Sequence, residues 1–577
     1  MKNLFISLVP RFTPFKSWIW ELKDKNVLKA DILAWITVAL VLIPQSMAYA
    51  QLAWLPAYIW LYASFLPVII AAFFGSSRQL STWPVAIVSL MTAAALEPIA
   101  SSNPSWFVAY AALLALLVWL FQLFLWLFRL GIIVNFLSHP VVVWFTNAWA
   151  LIIASSQLNK IFWVAAWKWD HQYQIVYEVI KNAISGTHLL TLMIWAWSLL
   201  VLFIIKKISS KLPGVLITVA IFTIISYYIK FKTLGWSVIW EIPSWLPGFA
   251  LPALDMDKAM WLISTAMTIA LVWFMEAISI AKWMASQSKQ KVSANQELVG
   301  QWLANIASAF FSGYPVSGSF SRSAVNFSAW ARTGFSSIVT WIIVALTLLF
   351  LTPLMYHLPQ ATLAAVIIMA VINLIKIEPI THAFKIQKHD WIVGIVTFIA
   401  TLYFAPNLEE GIIIWVILSL GLFLYRSMKP TFTELSLNEK WVLKDAKFFN
   451  LKISDTVGLY QFTGPLYFAN AGYFEWKLLW FVADKPKLKV LILDLESVQE
   501  IDATGQEVIE NIVDKIEKTW IEILFCRVEP KICTVFRNVD FFAHYDKSKI
   551  FHKRLDAFNY IKEKYKKNVD LKTLANI

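Results

Sequence analysis

Long runs without a single charged residue constrain this chain more than any other feature. Uncharged stretches cover 32–50, 52–77, 79–96, 98–128, 130–159, 189–205, 212–229 and 259–275, then 298–321, 333–375, 391–408 and 411–425. A bilayer-spanning helix needs about 20 apolar residues, so these stretches predict membrane spans. The 333–375 stretch divides near Pro353 and Pro359, and 98–159 divides at Arg129. Allowing for a broken segment near 315–331, the reading comes to about fourteen spans, several of them short. Charged residues make up 15% of the 577, against about 25% for a soluble domain.

Loop charge orients the spans. With the N-terminus inside, the even-numbered loops hold Arg78, Arg129, Lys206, Lys207, Arg332 and Lys376 among others. The opposite loops are poorer in Lys and Arg (Lys160, Lys168, Lys181, Lys230, Lys232 and Lys258) and carry Glu97, Asp170, Asp255, Asp257, Glu409 and Glu410. Cytoplasmic loops are enriched in Lys and Arg, so both termini are expected in the cytoplasm. The same rule accounts for the net charge of +13 without nucleic acid. Two cysteines exclude a disulfide scaffold, and no histidine or cysteine spacing suggests a metal; no cofactor is expected. The expected divisions are a cytoplasmic arm at 1–30, a membrane domain at 31–430 and a soluble domain at 445–565.

The soluble part alternates strand and helix. Leu488–Leu495 predicts a buried parallel strand, Thr504–Thr519 an amphipathic helix, and Ile521–Val528 the next strand, a βαβ unit. Thr504 and Glu507 fit a capping box at the helix start.

Two hydroxyl-rich segments interrupt apolar sequence at corresponding places in the two membrane halves: Ser76–Pro84, containing Ser81 and Thr82, and Pro315–Ser323, containing Ser319, Ser321 and Arg322. Paired breaks point to half-helices whose N-termini meet near the midplane and aim backbone N–H groups at an anion. The competing reading is an interfacial loop with a solvated arginine. Glu276 lies late in an otherwise uncharged span, suiting a proton-coupling role, a partner to Arg322, or an edge pair with Lys282. Pro44 and Gln45 put a kink and an amide inside the first span, which either lines a site or is satisfied by neighbouring helices. Asp502-Ala503-Thr504-Gly505 sits at a strand-to-helix turn, as a phosphorylation switch or simply a cap. No nucleophile–base constellation indicates an enzyme.

Pro56–Ser64, Phe74–Arg78, Glu276–Lys282 (EAISIAK), Gln296–Gly300 (QELVG) and Tyr314–Arg322 (YPVSGSFSR) together resemble the signature of the SulP anion permeases. The stretch LDLESVQEIDATG resembles the STAS domain that ends such permeases. The resemblance implies an α-helical polytopic protein of fourteen spans in two inverted seven-span repeats, with core and gate domains, a cytoplasmic α/β STAS domain, dimers and elevator-like alternating access. Carried onto matching positions, it implies an anion site of Gln45, Tyr49, Ser81, Thr82, Ser319, Ser321 and Arg322, with Glu276 in proton coupling. Ile280 stands where sodium-coupled bicarbonate members place an extra acid, which argues against sodium and toward proton coupling or exchange, and the EAISIAK form is most similar to the sulfate-transporting branch. Thr504 matches a position phosphorylated in other STAS proteins. The implied function is proton-coupled sulfate transport across the cell membrane. Bicarbonate, chloride or dicarboxylate transport, a passive anion channel, and a membrane-tethered STAS scaffold are the alternatives.

One departure is systematic. The chain has 17 Gly and 31 Trp, where usual glycine content of about 7% would give roughly 40. Trp60 and Trp83 stand where the signature has glycine, as do Trp35, Trp54, Trp144, Trp273, Trp302, Trp330 and Trp520. The expectation is a genome that reads UGA as glycine, translated here as tryptophan.

Overall fold

The computed structural model describes residues 13–565 except 33, 35–48, 51, 101–103, 132–138, 165–170, 210–213, 232–237, 239–245, 352–356, 373–374, 406–407 and 439–441. The first expected span falls largely outside the described residues, and Gln45 with it. The chain divides into two compact units, 1–419 and 420–577.

The principal elements of the membrane unit follow the apolar stretches. They are α1 (Ala57–Ala63), α2 (Leu66–Phe74), β1 (Thr82–Trp83), α3 (Ala86–Ala100), α4 (Pro104–Leu127), α5 (His139–Ser155), α6 (Leu189–Ile208) and α7 (Gly214–Tyr228). After these come α8 (Met256–Ser288), α9 (Ala294–Phe310), β2 (Ser317–Gly318), α10 (Phe320–Ser328), α11 (Phe335–Leu346), α12 (Gln360–Ile372), α13 (Lys388–Phe404) and α14 (Leu408–Met428). The division expected at Arg129 is observed, since α4 ends at Leu127 and Arg129 turns left-handed (φ 55°). The division near Pro359 is also observed: Pro359 lacks an N–H and sits one residue before α12.

By length and hydropathy α4, α6 and α8 are long enough to cross a bilayer, and α3, α7, α11 and α12 are shorter apolar helices. Helix packing separates into two groups. In one, α4 packs on α8 and α9, and α2 on α9 and α11; in the other, α5 packs on α13 and α6 on α12.

Two of the family-like motifs lock together. Glu297 of α9 is buried, and its Oε1 accepts the backbone N–H of Ser76 at 2.7 Å, the Ser76 hydroxyl at 2.6 Å and the backbone N–H of Ser77. Gln296 donates to the Phe74 carbonyl at 2.6 Å. A Cβ on Gly300 would lie 3.0 Å from the Gly75 backbone, so a larger residue would force α9 away from the end of α2. Glu297 as acceptor and Gln296 as donor satisfy backbone groups that would otherwise be unpaired where the chain leaves a helix.

The C-terminal unit is a six-stranded sheet of order β4-β3-β5-β6-β7-β8, from β3 (Thr431–Leu437), β4 (Leu443–Asp445), β5 (Val457–Thr463), β6 (Val490–Asp494), β7 (Glu522–Cys526) and β8 (Ile550–Phe551). β5 through β8 pair in parallel, and β3 is antiparallel to β4 and β5. Every residue of β6 and β7 is buried, as continuous apolar strands covered on both faces should be. One face packs with α15 (Phe468–Asp484) and α16 (Ala503–Glu517) through Phe474, Leu478, Ile509 and Ile512. The other face packs with a C-terminal helix, Arg554–Tyr565, through Ala557, Phe558 and Ile561.

The expected βαβ unit is present, with one correction. Asp502, not Thr504, caps α16: its carboxylate accepts the Gly505 N–H at 2.8 Å and the Phe468 N–H at 2.8 Å. Aspartate caps at least as well as threonine, and its second bond ties α16 to α15.

Between α16 and β7, Trp520 has a left-handed φ of 64° and is 95% exposed. It makes no packing that its removal would lose, and the left-handed conformation costs an L-residue about 1–2 kcal/mol. Trp520→Gly is therefore expected to stabilise this unit by about 0.5–1 kcal/mol, after the larger unfolded-state entropy of glycine is subtracted. A rise in the midpoint of chemical denaturation measures it, and a fall would mean the indole stabilises the turn.

Candidate anion-binding site between two broken helices

The two hydroxyl-rich breaks meet. β1 pairs antiparallel with β2, Thr82 opposite Gly318 and Trp83 opposite Ser317, although the segments are far apart in sequence. α3 begins just after β1 and α10 just after β2, so two helix N-termini flank this crossing. Gly318 permits it, since a Cβ there would lie 2.9 Å from the Ala277 side chain of α8.

All of the sequence-predicted residues except Gln45 can be located. The Ser81 N–H donates to the Ser323 hydroxyl at 2.9 Å, and its carbonyl accepts the Ser319 N–H at 2.9 Å. The Thr82 hydroxyl accepts from Gln301 at 2.9 Å. Ser81, Thr82 and Ser319 are all buried. Ser321 lies in the first turn of α10. Gln45 is outside the described residues.

Arg322 is 2% exposed, which excludes the solvated-loop reading. Its Nη1 donates to the Pro84 carbonyl at 2.9 Å. Its Nε and Nη2 have no hydrogen-bond partner among the described residues. The guanidinium carbon lies 5.3 Å from the Tyr49 ring centroid, 5.4 Å from that of Trp60 and 5.7 Å from that of Trp83. A buried cation needs partners for its donors, and two unpaired guanidinium N–H groups are the geometry a bidentate oxyanion accepts.

Glu276 lies on α8 between Trp273, whose carbonyl accepts the Ser317 hydroxyl at 3.0 Å, and Ala277, which a Cβ on Gly318 would meet. It makes no hydrogen bond to the Nε or Nη2 of Arg322. The arginine-partner reading of Glu276 is thereby set aside.

Several residues escaped sequence reasoning. Asn305 of α9 clasps Val316 from both sides, its Oδ1 accepting the Val316 N–H at 2.9 Å and its Nδ2 donating to the Val316 carbonyl at 3.0 Å. The Tyr314 hydroxyl meets that of Ser89 at 2.8 Å, linking the loop before β2 to α3. Ser323 holds Ser81. An amide in an apolar helix was a usable signal for Asn305; Tyr314 and Ser323 lay in the quoted segments without an assigned role, and nothing local marked Ser89. Thr504, the candidate modification site, is exposed in the first turn of α16.

Comparison with known proteins agrees with this architecture. The sulfate permease family model matches residues 28–397 and the STAS domain model residues 448–557. The chain is 32% identical over 534 residues to the chloroplastic sulfate transporter 4.1 of Arabidopsis thaliana, covering 88% of this chain and 76% of that one. It is 27% identical to sulfate transporter 3.2 of the same plant, covering 91% and 84%. Among solved structures, murine Solute Carrier 26 family member A9, an anion transporter in the inward-facing state, superposes with a TM-score of 0.86 at 23% identity, covering 98% of this chain and 95% of that chain. The transmembrane domain of a cyanobacterial bicarbonate transporter superposes with a TM-score of 0.59 at 19% identity, covering 69% and 98%.

Proposed function

Because the chain belongs to the sulfate permease family and is a multi-pass membrane protein, we propose that it is a secondary active transporter of a small oxyanion, sulfate first, coupled to protons. The observation that carries this reading is the buried Arg322, two of whose donors have no partner among the described residues, beside two helix N-termini. The anion would exchange its hydration shell for those donors and for the N-terminal N–H groups of α3 and α10. Tyr49, Ser81, Thr82, Ser319, Ser321 and, from the first span, Gln45 complete the proposed site.

The two packing groups of helices support an elevator-like motion, one group carrying the site past the other. Loop charge supports cytoplasmic termini in a cell membrane, and the family resemblance supports homodimers. The proposed divisions remain an arm at 1–30, a membrane domain at 31–430 and a STAS domain at 445–565. Thr504 is a proposed modification site by which a cytoplasmic partner would act.

The test is uptake of a panel of radiolabelled anions at several pH values by proteoliposomes of protein purified from its own membranes. Saturable sulfate accumulation driven by an inward proton gradient is expected. Bicarbonate, chloride or dicarboxylate accumulation would reassign the substrate, and uptake that never saturates would indicate a channel. Binding of a partner without any uptake would indicate a STAS scaffold, which has no need of a buried arginine.

Glu276→Gln keeps the shape of the side chain and removes its proton exchange. It is expected to leave sulfate equilibration intact while reducing pH-gradient-driven accumulation at least about tenfold, to near the equilibrium level. Accumulation that persists with a proton gradient would count against the coupling role.

A further inference from the structure

The backbone carries a record of which tryptophans do not belong to it. Among the described residues, eleven non-glycine residues have a left-handed φ, and four of them are tryptophans: Trp54 (57°), Trp163 (56°), Trp330 (69°) and Trp520 (64°). Gly464 is the one described glycine in that region. Glycine is the ordinary occupant of such positions, and a bulky side chain there is an outlier. Trp163 and Trp330 each follow the end of a helix, where a left-handed glycine commonly terminates the helix. Trp330 is 80% exposed and Trp54 53%, so burial does not compensate for their conformation.

Buried tryptophans add an independent observation. Ten buried indole N–H groups have no hydrogen-bond partner among the described residues, including those of Trp144, Trp273 and Trp302. A buried indole usually finds an acceptor, because leaving the N–H unpaired is costly.

The same pattern reaches the site. Trp60 and Trp83 are 0% and 1% exposed and stack at 5.5 Å with 16° between their planes. Among the described residues neither indole N–H has a partner, and both rings lie against the guanidinium whose Nε and Nη2 likewise have none. The indoles thus occupy space beside the guanidinium, and they present aromatic rings where an anion requires N–H groups. Trp83 also lies on β1, where the two breaks pair.

We propose that the cell makes this protein with glycine at 54, 60, 83, 163, 330 and 520, UGA being decoded as glycine, and that glycine at 60 and 83 opens an oxyanion chamber beside Arg322. The chamber rests on the transport reading given above; the identity of the six residues does not. Losing both indoles removes two ring systems from the guanidinium and lets backbone N–H groups approach an anion. Glycine at 54, 163, 330 and 520 relieves the four left-handed positions.

The gene sequence and peptide masses test the first part. UGA codons are expected at all six positions. In protein isolated from its own cells, the tryptic peptides Ser323–Arg332 and Thr519–Arg527 should be lighter by the difference between tryptophan and glycine. UGG codons at these positions, or peptides carrying tryptophan, would overturn the proposal. The second part is tested in recombinant protein by comparing the chain as written with the Trp60→Gly/Trp83→Gly double variant. Sulfate binding, read by protection against thermal unfolding, is expected in the double variant and at least about tenfold weaker in the chain as written. Equal protection of both would overturn the chamber. Glycine-bearing peptides together with a double variant that sulfate, bicarbonate and chloride all fail to protect would uphold the recoding and defeat the transport reading instead.

Discussion

Arg322→Ala, made in a chain carrying Trp60→Gly and Trp83→Gly, should abolish saturable sulfate uptake while leaving the amount and oligomeric state of the protein unchanged. The guanidinium is buried, one of its donors is engaged by Pro84, and two have no partner among the described residues. A hydrogen bond to a charged group contributes about 1.5–3 kcal/mol, so loss of two would weaken the bound anion by about 3–6 kcal/mol. At about 1.4 kcal/mol per factor of ten, affinity falls roughly 10²–10⁴-fold. Arg322→Lys should recover only part of this, because an ammonium keeps the charge but not the planar fork. Saturable uptake of unchanged apparent affinity in Arg322→Ala would remove the arginine from the site. The loss cannot be mistaken for misfolding if the variant shows an unchanged thermal midpoint without sulfate.

The second large effect is expected in the C-terminal unit. Asp494, at the end of β6, is fully buried and holds two arginines. Arg527 reaches it through Nη2 at 2.6 Å and Nε at 3.2 Å, and Arg554 through Nε at 2.5 Å. These bonds tie the end of β6 to the residue after β7 and to the start of the C-terminal helix. Removing one partner of a buried pair typically costs about 3–5 kcal/mol. The arginines retain about a fifth of their exposure and regain some hydration, so Asp494→Ala should cost roughly 2–4 kcal/mol. Against a total stability of about 5–15 kcal/mol, that consumes a large fraction. Urea-dependent proteolysis of the purified chain, scored at sites after residue 430, should show the midpoint falling accordingly. An unchanged midpoint would mean that the cluster contributes nothing to folding.

Glu297 shows how far sequence could reach. A carboxylate in an apolar helix was visible as part of QELVG, and a polar break was visible at Ser76–Ser77. That the first caps the backbone of the second required a fold that brings positions 221 residues apart into contact. Asp494 is similar: its place in LDLES was plain, but its partners lie 33 and 60 residues further on. The capping-box reading of Thr504 failed because the helix already begins at Ala503, which puts Thr504 inside its first turn, and because Asp502 accepts the Gly505 N–H and also reaches Phe468 on a neighbouring helix.

Sequence alone determined the membrane class, the paired polar breaks, the βαβ unit and the glycine deficit. Each of these is a short-range property: hydropathy summed over a span, strand and helix periods, or a count. Only the tertiary structure decided that the two breaks cross as β1 and β2, that Arg322 faces two indoles rather than Glu276, and that Asn305, Tyr314 and Ser323 hold the crossing together. Those contacts join distant segments whose approach depends on helix packing and on positions without a Cβ, and neither is written in the local pattern of any one of them.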